Sequence, residues 1–179
     1  MKFVNLLAAV FFCTVCSHAG EVVKFNDFLK SELSASSKTA KESFNLSDEQ
    51  KTSLKSVAED ASDTSFTFYY GKAADGKIEK ACAVVPQKGK EGPMSVGVCF
   101  GQDGLVSSIV VLAHEEERGK KAVEGNDFLK QFKGKNSSSP FRVGKDVDAV
   151  TGATVTSKAL SEAVRKASFA YTQFVEKKK

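Results

Sequence analysis

Most of the signatures by which a function is usually read are missing from this 179-residue chain. None of its Gly-Lys pairs is followed by Ser or Thr, which excludes a Walker-type phosphate loop. No three spaced glycines open a helix, so there is no dinucleotide fingerprint. Charge of one sign is scarce: the net charge is +4, and the basic residues are spread along the chain except for Lys177-Lys178-Lys179. That balance does not argue for nucleic acid, and the closing lysines read as a solvated tail. Beyond residue 16 no long apolar run exists, so no further membrane span is expected. Cysteine is sparse, with four residues. The spacing Cys13-x-x-Cys16, followed by Ser17 and then His18, misses the haem-attachment pattern by one residue. Cys82 and Cys99 have no nearby histidine, which argues against a metal site and leaves one disulfide or two buried thiols. No Ser-His-Asp or Cys-His arrangement is evident.

What is present starts with an export signal. Lys2 precedes an apolar run from Phe3 to about Cys16, and Ser17-His18-Ala19 forms a small-x-small site. This pattern predicts a signal peptide over residues 1–19, cleaved after about Ala19, and hence a periplasmic or otherwise exported protein. The whole chain has a globular composition, 41% hydrophobic and 27% charged.

Periodicity then sorts the segments. Val22, Phe25, Phe28, Leu29 and Leu33 recur at helical spacing, and a Ser/Thr/Lys-rich connector follows. Ser47-Asp48-Glu49-Gln50 is a capping box opening a helix from Asp48 to about Asp60. Strands are expected at 65–70, at 77–85 ending before Pro86, at 94–100 and at 105–113, with a flexible link over 87–93. The aromatic run Phe66, Phe68, Tyr69, Tyr70 reads as sheet core. His114 reads as a satisfied surface or edge residue at a strand end, and Glu115, Glu116 and Glu117 as a solvated loop. A short helix around Phe128, Leu129 and Phe132 precedes a last amphipathic helix from about Ser157 to Val175. The fold class is α+β: a small antiparallel sheet flanked by helices.

The stretch Asp148-Ala149-Val150-Thr151-Gly152-Ala153-Thr154-Val155-Thr156-Ser157 gathers hydroxyls at the mouth of that last helix. Gly152 permits a tight turn, and Thr154 or Thr156 is expected as the N-cap. A helix mouth also offers free amides and the positive end of the dipole, which together hold a phosphate. Residue chemistry alone supports a phosphate site or an ordinary cap.

The pattern Asp148-x-x-Thr151-Gly152-Ala153-Thr154-x-Thr156 resembles the flavinylation motif of the covalent FMN-binding domain family. That family includes exported flavin subunits of the sodium-pumping NADH:quinone oxidoreductase and its ion-pumping relatives. The resemblance runs from roughly Gly92 to Lys166. His114-x-Glu116 with Gly119 is similar to the family's His-x-Glu-Thr-Pro-Gly segment, with Glu117 and Arg118 in the Thr-Pro positions. Phe128-Leu129 and Gln131-Phe132-Lys133-Gly134-Lys135 resemble the helix and turn that follow. The resemblance implies a fold of the FMN-binding domain type over 63–179, after a helical segment 20–62. It implies FMN joined through its phosphate to Thr156 by a flavin transferase that reads Asp148. It also implies cofactor contacts at Thr151, Gly152, Ala153, Thr154 and Ser157, and Glu116 near the flavin ring. A membrane or periplasmic redox protein is the expected partner, and nucleic acid is not. The chain is therefore expected to be an electron carrier rather than an enzyme with its own substrate. The alternatives are a flavin subunit of an extracytoplasmic reductase, and a non-redox binding module in which the motif is only a helix cap.

Overall fold

The computed structural model describes residues 20–176; the expected signal peptide and the three closing lysines lie outside the described residues. In chain order the elements are β1 (Gly20–Glu21), α1 (Phe25–Leu33), β2 (Lys38–Asn45), α2 (Asp48–Val57), β3 (Ser65–Lys72), β4 (Ile78–Lys88), β5 (Pro93–Gly101) and β6 (Val106–His114). They continue with α3 (Lys120–Val123), α4 (Asn126–Leu129), a 3-10 turn at Lys130–Phe132 and α5 (Thr154–Phe174). All strands join one antiparallel sheet in the order β1-β6-β5-β4-β3-β2. The expected α+β class is therefore what forms.

Alternation along the central strands separates two cores. Ala81, Ala83 and Val85 of β4 join Val96, Val98 and Phe100 of β5 under α5, whose Leu160, Ala163, Val164 and Ala167 are fully buried. The opposite face carries Cys82, Cys99 and Leu112 beneath Phe28 and Leu33 of α1. Cys82 and Cys99 face each other across β4 and β5 and form a disulfide. Phe66, Phe68 and Tyr70 lie in the α5 core, as expected for a sheet-core run, and Tyr69 meets Phe25 edge-on across the sheet.

Four local expectations change. The connector after α1 contains a strand, β2, paired with β3 from Lys38↔Lys72 to Asn45↔Ser65, so the stretch 20–62 is not helical throughout. The boundary expected after residue 62 falls between α2 and β3, and the same sheet lies on both sides of it. Helix α2 keeps its capping box, with the Gln50 amide donating to Ser47 Oγ at 3.3 Å and the Ser47 amide to Gln50 Oε1 at 2.9 Å. It ends three residues early because Ala58 turns extended and Glu162 takes the amides of Glu59 and Asp60. Strand β4 runs through Pro86, since β3 pairs only as far as Ala83 and a missing N–H costs nothing on an open side. The supposed flexible link is thus a tight β4–β5 turn, closed by the Gly89 amide on Gly92 O at 2.8 Å.

Candidate functional site

The hydroxyl-rich stretch lies at the N-terminus of α5, and the loop that delivers it is held by side chains. Asp146 accepts from the amides of Arg142 at 2.8 Å and Phe141 at 3.2 Å, and from Lys135 Nζ at 3.0 Å. Burial pushes its carboxyl up, but the Arg142 amide and the Lys135 ammonium outweigh that and hold its pKa below the ordinary value. The Gln131 side chain then clamps the backbone of Asp148, accepting from its amide at 2.7 Å and donating to its carbonyl at 3.2 Å. The Asp148 residue itself is exposed at the rim.

Gly152 turns the chain with φ +80°, and the Ala153 amide returns to Val150 O at 2.9 Å. Helix α5 therefore begins at Thr154, three residues before the expected start. Neither Thr154 nor Thr156 is the N-cap. Ala153 occupies that position, drawn into the core because Gly119 admits it: a Cβ on Gly119 would stand 2.4 Å from Ala153 Cβ. Gly119 also has φ +72°, so both its backbone and its bareness serve this contact.

Three hydroxyls consequently divide. Ser157 is buried and structural, donating to Ala153 O at 2.9 Å and accepting from the Val150 amide at 3.1 Å. Thr154 is exposed, like Thr151 and Gly152. Thr156 is only 1% exposed, and its hydroxyl donates to Glu116 Oε2. The first backbone bond of the helix is Ser157 N to Ala153 O, so the amides of Thr154, Val155 and Thr156 precede its ladder.

Glu116 reaches this point from the loop after β6. The residue is 3% exposed, not solvated as its loop position suggested. Its Oε1 accepts from the Glu91 amide at 2.9 Å, and Glu91 Oε2 accepts from the Glu117 amide at 2.6 Å. Behind it, the Glu116 amide donates to His114 Nδ1 at 3.0 Å, and His114 Nε2 contacts Glu124 Oε1. An accepting Nδ1 places the ring hydrogen on Nε2, directed at Glu124. His114 is thus buried rather than a surface residue, with Glu124 against its ring and Gly20 of β1 paired beside it. Gly89 supplies room: a Cβ there would lie 2.3 Å from Glu116 Oε1.

The structure brings Thr156, Ser157, Ala153 and Glu116 together under the surface and leaves Asp148, Thr151, Gly152 and Thr154 on the rim. Open pockets flank that rim. One of about 370 Å³ is lined by Gln131, Asp148 and Val150. Another of about 580 Å³ is lined by Val155, Lys158, Arg142 and Arg165. The free amides and rim hydroxyls suit one phosphate group, and the Thr156 hydroxyl, held on a carboxylate, has a ready proton acceptor. Sequence reasoning missed Glu91, Glu124 and Asp146. Glu91 stood in a presumed link and carried no signal; Asp146, two residues before the motif, was legible only as loop.

Residues 89–168 match the family model for the FMN-binding domain. Over 99 residues the chain is 35% identical to a component of the proton-translocating ferredoxin:NAD(+) oxidoreductase complex of Clostridium ljungdahlii, covering 51% of this chain and 54% of that one. It is 27% identical over 104 residues to a component of the Na(+)-translocating ferredoxin:NAD(+) oxidoreductase complex of Acetobacterium woodii, covering 54% and 50%. It is 30% identical over 115 residues to a component of the ion-translocating oxidoreductase complex of Shewanella oneidensis, covering 59% and 54%. The chain spans about half the length of the curated relatives it matches. The fold is shared with the crystal structure of Shewanella oneidensis NqrC (TM-score 0.55, 17% identity, 86% of this chain and 88% of that one). It is shared also with a component of the Na(+)-translocating NADH-quinone reductase from Parabacteroides distasonis (TM-score 0.50, 21% identity, 64% of each chain).

Proposed function

We propose, from the membership of residues 89–168 in the FMN-binding domain family, that this chain is an exported electron-transfer protein carrying FMN covalently through a phosphoester to Thr156. The observation that carries the reading is the Thr156 hydroxyl, buried at the helix mouth and donated to a buried carboxylate. An ordinary helix cap needs neither feature, and here the cap position is held by Ala153.

The donor set fits the phosphate end of FMN. The amides of Thr154, Val155 and Thr156 lie at the positive end of a 21-residue helix and suit the single negative charge of a phosphodiester. Exposed Thr151 and Thr154 add hydroxyls at the same rim. Ala153 and Gly119 hold the turn in place, and Gln131 presents Asp148 outward, where a modifying enzyme can read it. Once bound, the flavin supplies the redox chemistry, while the chain supplies attachment and orientation. Because Thr156 is 1% exposed, attachment requires the helix mouth to open locally.

The relatives belong to ion-translocating oxidoreductase complexes, so a membrane redox partner follows for this chain as part of the proposal. A flavin transferase is its maturation partner, and residues 63–179 carry the flavin within a sheet that β1 and β2 complete. No helix among the described residues is long and apolar enough to cross a membrane. The test is the intact mass of the protein exported from cells that contain a flavin transferase. Signal removal plus one FMN less one water, mapped to the peptide holding Thr156, is the expected result. A bare mature mass would return the motif to a structural role.

A further inference from the structure

We infer that Glu116 is a built-in proton acceptor and positioning residue for the modification of Thr156. This inference rests on Thr156 being the flavin attachment site.

Glu116 is 3% exposed, and no cation pairs with it among the described residues. Burying a carboxylate this way is unfavourable unless its hydrogen bonds are made. They are made by two neutral donors, the Glu91 amide on one oxygen and the Thr156 hydroxyl on the other. If only a hydrogen-bond acceptor were needed, an amide side chain would serve without a buried charge. What a carboxylate adds is the capacity to take the proton.

Geometry supports the same role. The carboxylate touches the atom that must become the nucleophile, and that contact spans 40 residues of sequence. The backbone behind it is pinned, with the Glu116 amide on His114 Nδ1 and His114 directed at Glu124. Its front is held more lightly. The β4–β5 turn meets this loop through the Glu91 amide on Glu116 and the Glu117 amide on Glu91. Lifting that turn leaves Glu116 attached to Thr156 and to His114. In that arrangement the Thr156 hydroxyl keeps its proton acceptor.

The step balances with a flavin dinucleotide as donor. Thr156 Oγ forms a bond to the flavin-side phosphorus, and the phosphoanhydride P–O bond breaks. The nucleoside monophosphate leaves with the bonding pair, and the Thr156 proton passes to Glu116 Oε2. Nothing is oxidised or reduced. The product then places a phosphodiester anion beside the site, and protonation of Glu116 removes the charge that would repel it.

The experiment follows flavin attachment by intact mass against concentration of the full chain, with a flavin transferase and flavin adenine dinucleotide. Wild type gains one FMN unit. Glu116→Gln is expected to lower kcat by at least about tenfold, with KM for the acceptor within about twofold. Glu116→Asp, which keeps the carboxylate, is expected to fall between the two. Thermal melts of each variant establish folding, and if Glu116→Gln does not fold, the kcat of Glu116→Asp carries the test. Attachment to Glu116→Gln at the wild-type kcat, or a raised KM with kcat intact, overturns the inference while leaving the attachment reading standing. No flavin on wild type, or flavin mapped to Thr154, overturns the attachment reading and this inference with it.

Discussion

Two buried carboxylates face helix α5, and their surroundings differ. Glu162, on the helix, is paired with Arg165, and its other oxygen accepts the amides of Glu59 and Asp60. Arg165 in turn donates to the carbonyls of Pro140 at 3.0 Å and Phe141 at 2.7 Å, tying the helix to the loop before the motif. Glu116, at the helix mouth, meets an amide and a hydroxyl but no cation among the described residues. The first arrangement pairs its charge and joins three segments; the second sets a carboxylate with no cationic partner among the described residues beside the Thr156 hydroxyl. Burial is similar, 6% and 3% exposure, so burial alone does not distinguish the two. The partner does.

The sharpest break in that comparison is Thr156→Ala. It should abolish flavin attachment, read as the loss of the FMN mass, while costing about 2 kcal/mol for a hydroxyl lost from a charged acceptor. Glu162→Ala should do the reverse. It leaves Arg165 buried without its partner, and we expect a loss of about 3–5 kcal/mol in denaturant unfolding. Attachment per folded molecule should be unchanged.

Smaller effects sharpen the picture of how the two regions are held. Gly119→Ala should cost about 1–3 kcal/mol, from a left-handed backbone and the contact with Ala153. Adding Ala153→Gly should recover the steric share of that cost in a double-variant melt. Ser157→Ala should cost about 1 kcal/mol and leave attachment in place, since this hydroxyl only closes the turn. Asp146 gives the smallest change and a pH signature. Its folded pKa lies below the unfolded value, so its contribution is present above about pH 4 and fades as pH falls through the folded pKa. The stability gap between wild type and Asp146→Asn should therefore narrow below about pH 4 in an acid titration.

Much of the fold was legible where the signal is local. Aromatic, alternating and valine-rich runs placed β3, β5 and β6, the capping box placed the start of α2, and the apolar stripe from Leu160 to Tyr171 placed α5. Strand β2 was not legible, because an edge strand that is mostly exposed carries polar residues and reads as a connector. Pro86 misled for a related reason: whether a missing N–H matters depends on which neighbour strand reaches that far.

The sequence by itself determined the α+β class, the hydroxyl-rich entry to a long amphipathic helix, and the resemblance that marks Thr156. These follow from residues near one another along the chain. Tertiary structure alone decided that Ala153 rather than a threonine caps the helix, that Ser157 is structural, and that His114 is buried. It also decided that Glu116 meets Thr156. That pairing exists because the meander returns the end of β6 to the mouth of α5, and because Gly119 and Gly89 leave the space for it. Periodicity reports which face of an element is buried; it holds no record of what waits on the other side.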